Sequence, residues 1–315
     1  MAIDEIAFNK WQSKQVDVAI GRAERRFFGH INRMSKELKY LLADVSRIDN
    51  LPKARIDKLI QQAVAIQATR YGDAIIDFTS DAARLAEYAS TSERLGLAMT
   101  ASAKDVAVIA QRTPIAANGL LFSEHLDTLV AYNNKRLADT IRKSWAAKDD
   151  IGDLSSLIIG TEKLRHADGL MHKQKVAARA SIDTAAHHSA MIGKVETWKA
   201  NDVYKYKIQS ALDNKVTELC RSLDQMIFEY GAANARIPPF HYRCRTVIVP
   251  VIDDAYKFLS QGRTRSSMYG SVDSNITYNE WAKQNADKIA EQNEIDRLKR
   301  NRRAKARRKA NEGTP

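Results

Sequence analysis

Three residues in the last third of the chain have side chains that could bind a metal ion: Cys220, His241 and Cys244. Thiolate sulfur and imidazole nitrogen are ligands that zinc takes in tetrahedral protein sites. His241 and Cys244 form a compact His-x-x-Cys pair, and Pro238-Pro239 shortly before it restricts the backbone that leads into the pair. These residue types and spacings predict a zinc site with three protein ligands.

No second pair of close ligands completes this site, so its fourth ligand would be Thr217, Asp213 or water. Three other interpretations remain open. The histidine could lie half-buried beside two ordinary buried cysteines. Cys220 and Cys244 could form a redox-linked contact, although disulfides are rare in cytosolic proteins. A nucleophilic Cys–His pair would need an orienting group and an oxyanion site, and the sequence supplies neither in recognisable form.

No further motif indicates catalysis. The chain has no Gly-rich phosphate loop, no HExxH and no GxSxG element, so we predict that it is not an enzyme and that zinc is its only candidate cofactor. His187-His188 lies near His172 and Asp183, but adjacent helical residues point about 100° apart and share one ion poorly. We expect these to be solvated histidines on an alanine-rich helix.

The positive charge of the chain is concentrated at its C-terminus. The formal net charge is +12, and residues 297–315 contribute +8 of it, through nine cations against Glu312 alone. The nine cations are Arg297, Lys299, Arg300, Arg302, Arg303, Lys305, Arg307, Arg308 and Lys309. Such a run neutralises phosphates without reading bases, and a tail without aromatic residues offers no platform for base stacking. We predict that the tail binds nucleic acid; an anionic surface on a protein partner and solubilising disorder are the alternatives.

Length and composition limit the class of protein. With 315 residues the chain could form one large domain or two, and a hydrophobic content of 44% is enough to bury a core. No apolar run approaches the roughly 20 residues that span a bilayer. The N-terminus lacks the basic and apolar regions of a signal peptide, and two cysteines are too few for a disulfide framework. We expect the protein to be made and kept in the cytosol of the producing cell.

Apolar residues recur at spacings of three, four and seven over most of the chain, which predicts a body of long amphipathic helices. The predicted helices cover residues 16–45, 56–78, 81–90, 92–112, 123–145, 154–161 and 170–198. Ser123 is expected to cap the fifth of these helices. Residues 149–153 are expected to form a loop, and the break at Asn118-Gly119 is taken as a domain boundary.

The pattern changes in the last third of the chain. Alternating apolar residues predict a short strand around 203–208, and a β-branched run predicts another at 245–251, with Pro250 at an edge position. A short helix or turn at 216–223 and a last helix at 278–308 complete the prediction. The expected fold is mainly α with a small α+β module near the C-terminus, followed by a basic tail that is helical or disordered.

Several features of this region resemble the phage head morphogenesis family, the Mu F-like minor head proteins. That family's C-terminal module has an Asp-rich turn, a Cys or His before a Leu-Asp step, Pro-Pro-x-His-x-x-Cys-Arg with a hydrophobic strand, and Tyr-x-x-Trp. The similar residues here are Asp213, Cys220, Leu223, Asp224, Pro238, Pro239, His241, Cys244, Arg245, Tyr278 and Trp281. The resemblance covers residues 123–284. The chain departs from it at Thr217 and Thr246, where relatives have cysteine, and at Gln225, which replaces a glycine.

The resemblance implies a structural virion protein, a minor capsid protein inside the phage head near the portal, made in the host bacterial cytoplasm. Its implied partners are the portal protein, other head proteins and packaged double-stranded DNA, with which some relatives leave the head. We divide the chain into a helical region (1–118), the Mu F-like module (119–284) and the basic tail (285–315). The module motif residues are Asp213, Pro238, Pro239, Arg245 and Trp281. The alternatives are an internal nucleic-acid-binding or scaffold protein, or an enzyme built on the same module.

Overall fold

The computed structural model describes residues 5–45, 48, 50–251 and 264–312, and the side chains of those that lie between residues 16 and 306. Up to residue 199 these residues form helices and connecting loops. The helices are α1 (Glu5–Ala43), α2 (Lys53–Gly96), α3 (Val106–Arg112), α4 (Phe122–Ala147), α5 (Ile151–Ile159) and α6 (Leu170–Lys199). A 3-10 turn at Glu162–Leu164 lies between α5 and α6.

The small α+β module covers residues 205–284. It contains β1 (Lys205–Gln209), α7 (Glu218–Leu223), β2 (Ile227–Glu229), β3 (Val247–Val251), β4 (Thr264–Ser267), β5 (Gly270–Asp273) and α8 (Tyr278–Gln284), and α9 (Ala286–Glu312) follows it. The strand β1 lies between β2 and β3 in an antiparallel sheet, and β4 pairs with β5. Pro250 lies on β3, an edge strand, where a missing N–H costs least. The predicted fold class is confirmed.

The largest error in the predicted elements concerns α2. The sequence predicted one helix ending near residue 78 and two shorter ones at 81–90 and 92–112, but α2 runs without interruption to Gly96. Buried residues continue along its inner side at spacings of three and four: Phe78, Ala82, Leu85, Ala86 and Ala89. Because no proline interrupts this stripe, packing against the core sustains a single helix of 44 residues.

Two helix starts also differ from the prediction. Ser123 is not the cap of α4, since the helix begins one residue earlier and the Glu124 carboxylate accepts the Leu121 N–H at 2.8 Å. The predicted loop at 149–153 contains the first turn of α5. The side chain of Asp150 accepts the Asp153 N–H at 2.8 Å and so caps that helix.

The core is organised around α2 and α6, which pack along each other and are covered by α1, α3 and α4. One hydrophobic cluster continues from these helices through β1 and α7 to Trp281 in α8. The hydrophobic core therefore continues across the predicted domain boundary near residue 118. The division of the chain into three regions stays a prediction. Among the described helices, none combines the length and apolarity that crossing a membrane requires.

Gly193 marks a close approach between α6 and α2. A Cβ added at Gly193 would lie 2.2 Å from the Ala86 carbonyl oxygen, a backbone atom that moves only with its helix. Replacing Gly193 with alanine should lower the free energy of unfolding by about 1–3 kcal/mol. This loss is expected even though alanine favours a helix over glycine by about 1 kcal/mol. Urea denaturation followed by circular dichroism measures it.

Gly72→Ala is the matched control for Gly193→Ala. It makes the same substitution in a helix interior, but no heavy atom lies within 4 Å of the added Cβ. This variant should be as stable as the original protein or more stable by up to about 1 kcal/mol. Equal destabilisation by the two substitutions would contradict the argument from helix contact.

Candidate functional site

The small α+β module brings the three predicted ligands together from two parts of the chain. Cys220 lies in the first turn of α7, where the hydroxyl of Thr217 caps the helix and accepts the Cys220 N–H at 3.4 Å. His241 and Cys244 lie on the loop between β2 and β3, after Pro238-Pro239, whose peptide bond is cis. The Cys244 N–H donates to the His241 carbonyl oxygen at 3.1 Å and closes a turn between the two ligands.

Cys220, His241 and Cys244, here called the Cys/His cluster, are the one group of three or more potential metal ligands within the described residues. Their ligand atoms lie within 4.8 Å of one another. The Sγ of Cys220 lies 3.2 Å from the His241 Nε2 and 3.8 Å from the Cys244 Sγ. Both cysteines are buried and free, and the histidine is half-buried. The cluster could therefore hold one metal ion.

The orientation of the His241 ring is determined by its own loop. Its Nδ1 lies 2.9 Å from the Tyr242 carbonyl oxygen, which accepts hydrogen bonds only. Nδ1 therefore carries the proton and donates it to that carbonyl, which leaves the lone pair of Nε2 directed at Cys220. This is the tautomer that a metal-binding histidine needs, and a backbone carbonyl is a common partner of its other nitrogen.

The two thiols differ in acidity because they share a hydrogen bond. Donation from Cys220 lowers the pKa of Cys244 below its ordinary value, and the same hydrogen bond raises the pKa of Cys220. Burial raises the pKa of both thiols. The contact between the two sulfurs thus favours the thiolate form of Cys244 over that of Cys220.

A cavity of about 30 Å³ opens beside the cluster. Its lining includes the side chains of Lys215, Cys220, His241, Arg243, Arg245 and Thr246. Thr246 is 1% exposed, and its hydroxyl lies close enough to both thiols to lower their pKa. A space of this size holds a metal ion or one or two water molecules rather than an organic substrate.

Two of the cations around this cavity are paired with carboxylates. Arg245 donates through both terminal nitrogens to Asp213, with 3.0 Å between Nη2 and Oδ1. Arg243 lies 3.7 Å from a carboxylate oxygen of Asp183 on α6. The motif residues Asp213 and Arg245 thus form an ion pair beside the cluster. Trp281, the last of the motif residues, is fully buried in α8. Its ring stacks on that of Tyr269 with 5.9 Å between ring centroids.

A buried ion pair that the sequence did not reveal holds the module together. The Asp224 carboxylate accepts from Arg265 at 2.9 and 3.1 Å and from the Ser210 and Tyr278 N–H groups at 2.7 and 2.8 Å. Arg265 also donates to the Ile276 carbonyl oxygen at 3.0 Å. The resemblance included Asp224 through its Leu-Asp step. The partner of Asp224, Arg265, lies 41 residues later in the chain, and no motif surrounds it.

The expectation of solvated histidines on α6 holds for His172, which is exposed, but was wrong for His188 and in part for His187. His188 is buried and its Nε2 lies 3.0 Å from the Ala110 carbonyl oxygen on α3, and burial lowers its pKa to about 4. The Nε2 of His187 lies 2.8 Å from the Thr246 carbonyl oxygen. The two rings therefore contact different elements and tie α6 to α3 and to the start of β3. Packing of α6 against α3 buries His188 and leaves His187 half-buried, which periodicity alone did not reveal.

The predicted last helix at 278–308 is two helices. α8 ends at Gln284. The next residue, Asn285, caps it by donating its side-chain amide to the Trp281 carbonyl oxygen at 2.9 Å, and α9 begins at Ala286. Near its start α9 contacts the module through Asn293, whose side-chain oxygen accepts from Asn214 at 2.9 Å. Its 27 residues correspond to a length of about 40 Å. As far as residue 312 the tail is therefore helical, and it leaves the module as an extension.

The cations predicted to bind nucleic acid lie along α9. Arg297 is partly neutralised, since its Nη2 lies 2.6 Å from a carboxylate oxygen of Glu294. The next five cations are exposed: Lys299, Arg300, Arg302, Arg303 and Lys305. The side chains of the last three lie outside the described residues: Arg307, Arg308 and Lys309. At about 100° per residue the nine positions surround the helix rather than forming one stripe.

Comparisons with family models, with curated proteins and with solved structures found no match for this chain. A function for it therefore has to be derived from its own residues. Two features of the described region have chemistry of their own. One is the Cys/His cluster with its flanking ion pairs, and the other is the exposed cationic helix α9.

Proposed function

We propose that this chain is a minor head protein of a double-stranded DNA phage, of the Mu F-like type, located inside the head and associated with the portal. The observation that carries the proposal is the assembly of the motif residues. Asp213 and Arg245 pair beside Cys220 and Cys244, and Asp224 binds the backbone N–H of Tyr278. Unrelated short motifs scattered over about 70 residues have no reason to meet in one module, so their assembly supports the resemblance.

The helical body is the part that we assign to contact with the portal and other head proteins. The apolar stripes of its helices are buried in the chain's own core, so they are not free to bind a partner helix. Docking is therefore assigned to the exposed faces of α1, α2 and α4. Single apolar side chains remain exposed on these faces, including Tyr40, Ile76 and Tyr132.

The tail is the part that we assign to packaged DNA. Its exposed cations surround α9, so the helix can contact phosphates on whichever side it meets them, without reading sequence. An internal nucleic-acid-binding protein or a scaffold protein would use the same charge. Portal binding and presence in the mature particle distinguish a minor head protein from these two alternatives.

Co-expression with the portal protein of the same phage tests the proposal. We expect captured portal protein to retain this chain at low and at high salt, because docking by the helical body does not depend on phosphate contacts. A variant without residues 297–315 should be retained equally well, which separates portal docking from DNA binding. Loss of the complex at both salts, with DNA still bound by the full chain, would favour an internal DNA-binding protein.

Mass spectrometry of purified virions should detect the protein at low copy, whereas a scaffold would be missing.

A further inference from the structure

We propose that the Cys/His cluster binds one zinc ion, through the Sγ atoms of Cys220 and Cys244 and the Nε2 of His241. The ion would tie α7 to the loop before β3 and so connect the two parts of the small α+β module. This proposal does not rest on the viral role, since it follows from the local geometry alone.

Two of the three distances between the ligand atoms are close to those of a tetrahedral zinc ion, and the third is at most 4.8 Å. Two sulfurs bound to one zinc at about 2.3 Å lie about 3.8 Å apart, and the Cys220 and Cys244 sulfurs are 3.8 Å apart. A sulfur and a nitrogen on the same ion would be separated by about 3.5 Å, against 3.2 Å between Cys220 and His241. A disulfide would require the sulfurs to approach to about 2.05 Å. The observed spacing is therefore not that of a disulfide, and it allows both sulfurs to bind one ion.

The surroundings of the cluster supply what a zinc site needs beyond its three ligands. The Tyr242 carbonyl oxygen holds the His241 ring in the tautomer that leaves Nε2 free to bind. The neighbouring cavity has room for a water molecule as the fourth ligand. The hydroxyl of Thr246, a buried residue at that cavity, lies beside both thiols and so next to the position of the ion.

Charge balance favours the ion. Two thiolates neutralise Zn²⁺, and Arg245 beside the cavity opposes it little, because Arg245 is paired with Asp213. Three protein ligands and one open position are also the arrangement of catalytic zinc. Here the open position faces a cavity of about 30 Å³, too small for an organic substrate, so the role we assign is structural.

The metal content of the full-length protein, purified without an affinity tag, tests the proposal. We expect about one zinc ion per chain by mass spectrometry, and a lower thermal midpoint after a strong chelator removes it. Cys220→Ser, His241→Gln and Cys244→Ser should each lower zinc affinity by more than the 10- to 100-fold typical of changes outside the ligands. His172→Gln, at an exposed histidine on α6, should leave the zinc content unchanged.

Cobalt substitution keeps the test decisive if the ligand variants fail to fold. The original protein loaded with Co²⁺ should show thiolate-to-cobalt charge-transfer absorption and the visible bands of a tetrahedral ion. A protein that takes up neither metal and has two free thiols would overturn the proposal, since the cysteines would then be ordinary buried residues. Quantitative formation of a Cys220–Cys244 disulfide in the purified protein would overturn it equally.

Discussion

Replacing Arg265 with methionine is expected to lower the free energy of unfolding by about 3–5 kcal/mol. The substitution keeps an apolar stem of similar length but leaves the Asp224 carboxylate, whose side chain is 1% exposed, without its cation. Only the N–H groups of Ser210 and Tyr278 would still bind that carboxylate, and the Ile276 carbonyl oxygen would lose a donor. Urea denaturation followed by tryptophan fluorescence measures the loss, because Trp281 is buried in the same module.

Arg245→Met is the matched control, since it removes another arginine–carboxylate pair in the same module. The Arg245 side chain is 50% exposed and the Asp213 side chain 16%, against 5% and 1% in the Arg265–Asp224 pair, and Asp213 keeps the Lys215 N–H when the arginine is removed. The expected cost is below about 1 kcal/mol. If the two substitutions cost the same, burial would not be what makes the Asp224–Arg265 pair important, and the argument from desolvation would be wrong.

Removal of residues 297–315 is expected to abolish most binding to double-stranded DNA and to flatten its dependence on salt. Each phosphate contact releases counterions, so log affinity should fall linearly with log salt, with a slope of about −0.9 per contact. Six to nine contacts would cost the full-length protein roughly 10³–10⁵-fold in affinity between about 50 and 200 mM salt. The truncated chain keeps a net charge of +4, spread over its body, and should show little of this dependence. Fluorescence anisotropy with a labelled duplex measures both slopes.

Two triple variants distinguish a localised site from total charge. Each replaces three exposed cations with glutamine, so the loss of net charge is the same. The tail variant changes Lys299, Arg300 and Arg302, and the body variant changes Lys53, Arg55 and Lys58. We expect the tail variant to reduce the slope by roughly 2–3 and the body variant to leave it nearly unchanged. If both variants changed the slope equally, total charge rather than α9 would determine DNA binding. If neither variant changed binding, the tail would not bind DNA.

The fold class followed from the sequence because periodicity is a local property. A spacing of three and four places apolar residues on one side of a helix, and β-branched residues favour strands whatever lies elsewhere in the chain. Long helices and the strands at 205–209 and 247–251 were therefore predicted correctly. The full length of α2 was not, because its continuation past residue 78 depends on packing against α6 and neighbouring helices.

The members of the candidate site could also be named from the sequence, because only a few residue types bind zinc or phosphate. Cys220, His241 and Cys244 were selected by type, and the cations of the tail by their density. The sequence could not show whether the three ligands meet, because His241 lies 21 residues after Cys220. Their meeting depends on how α7 and the loop before β3 pack in the module.

The pairing of buried charges was decided by the tertiary structure alone. Arg265 has no motif around it, and its role appears only when the chain brings it to Asp224 across 41 residues. The burial of His188 against α3 likewise depends on packing of α6 that no local pattern encodes. The sequence by itself determined which groups are present and which elements carry them. The tertiary structure decided which groups meet and which are removed from water, because burial and long-range contact depend on the whole fold.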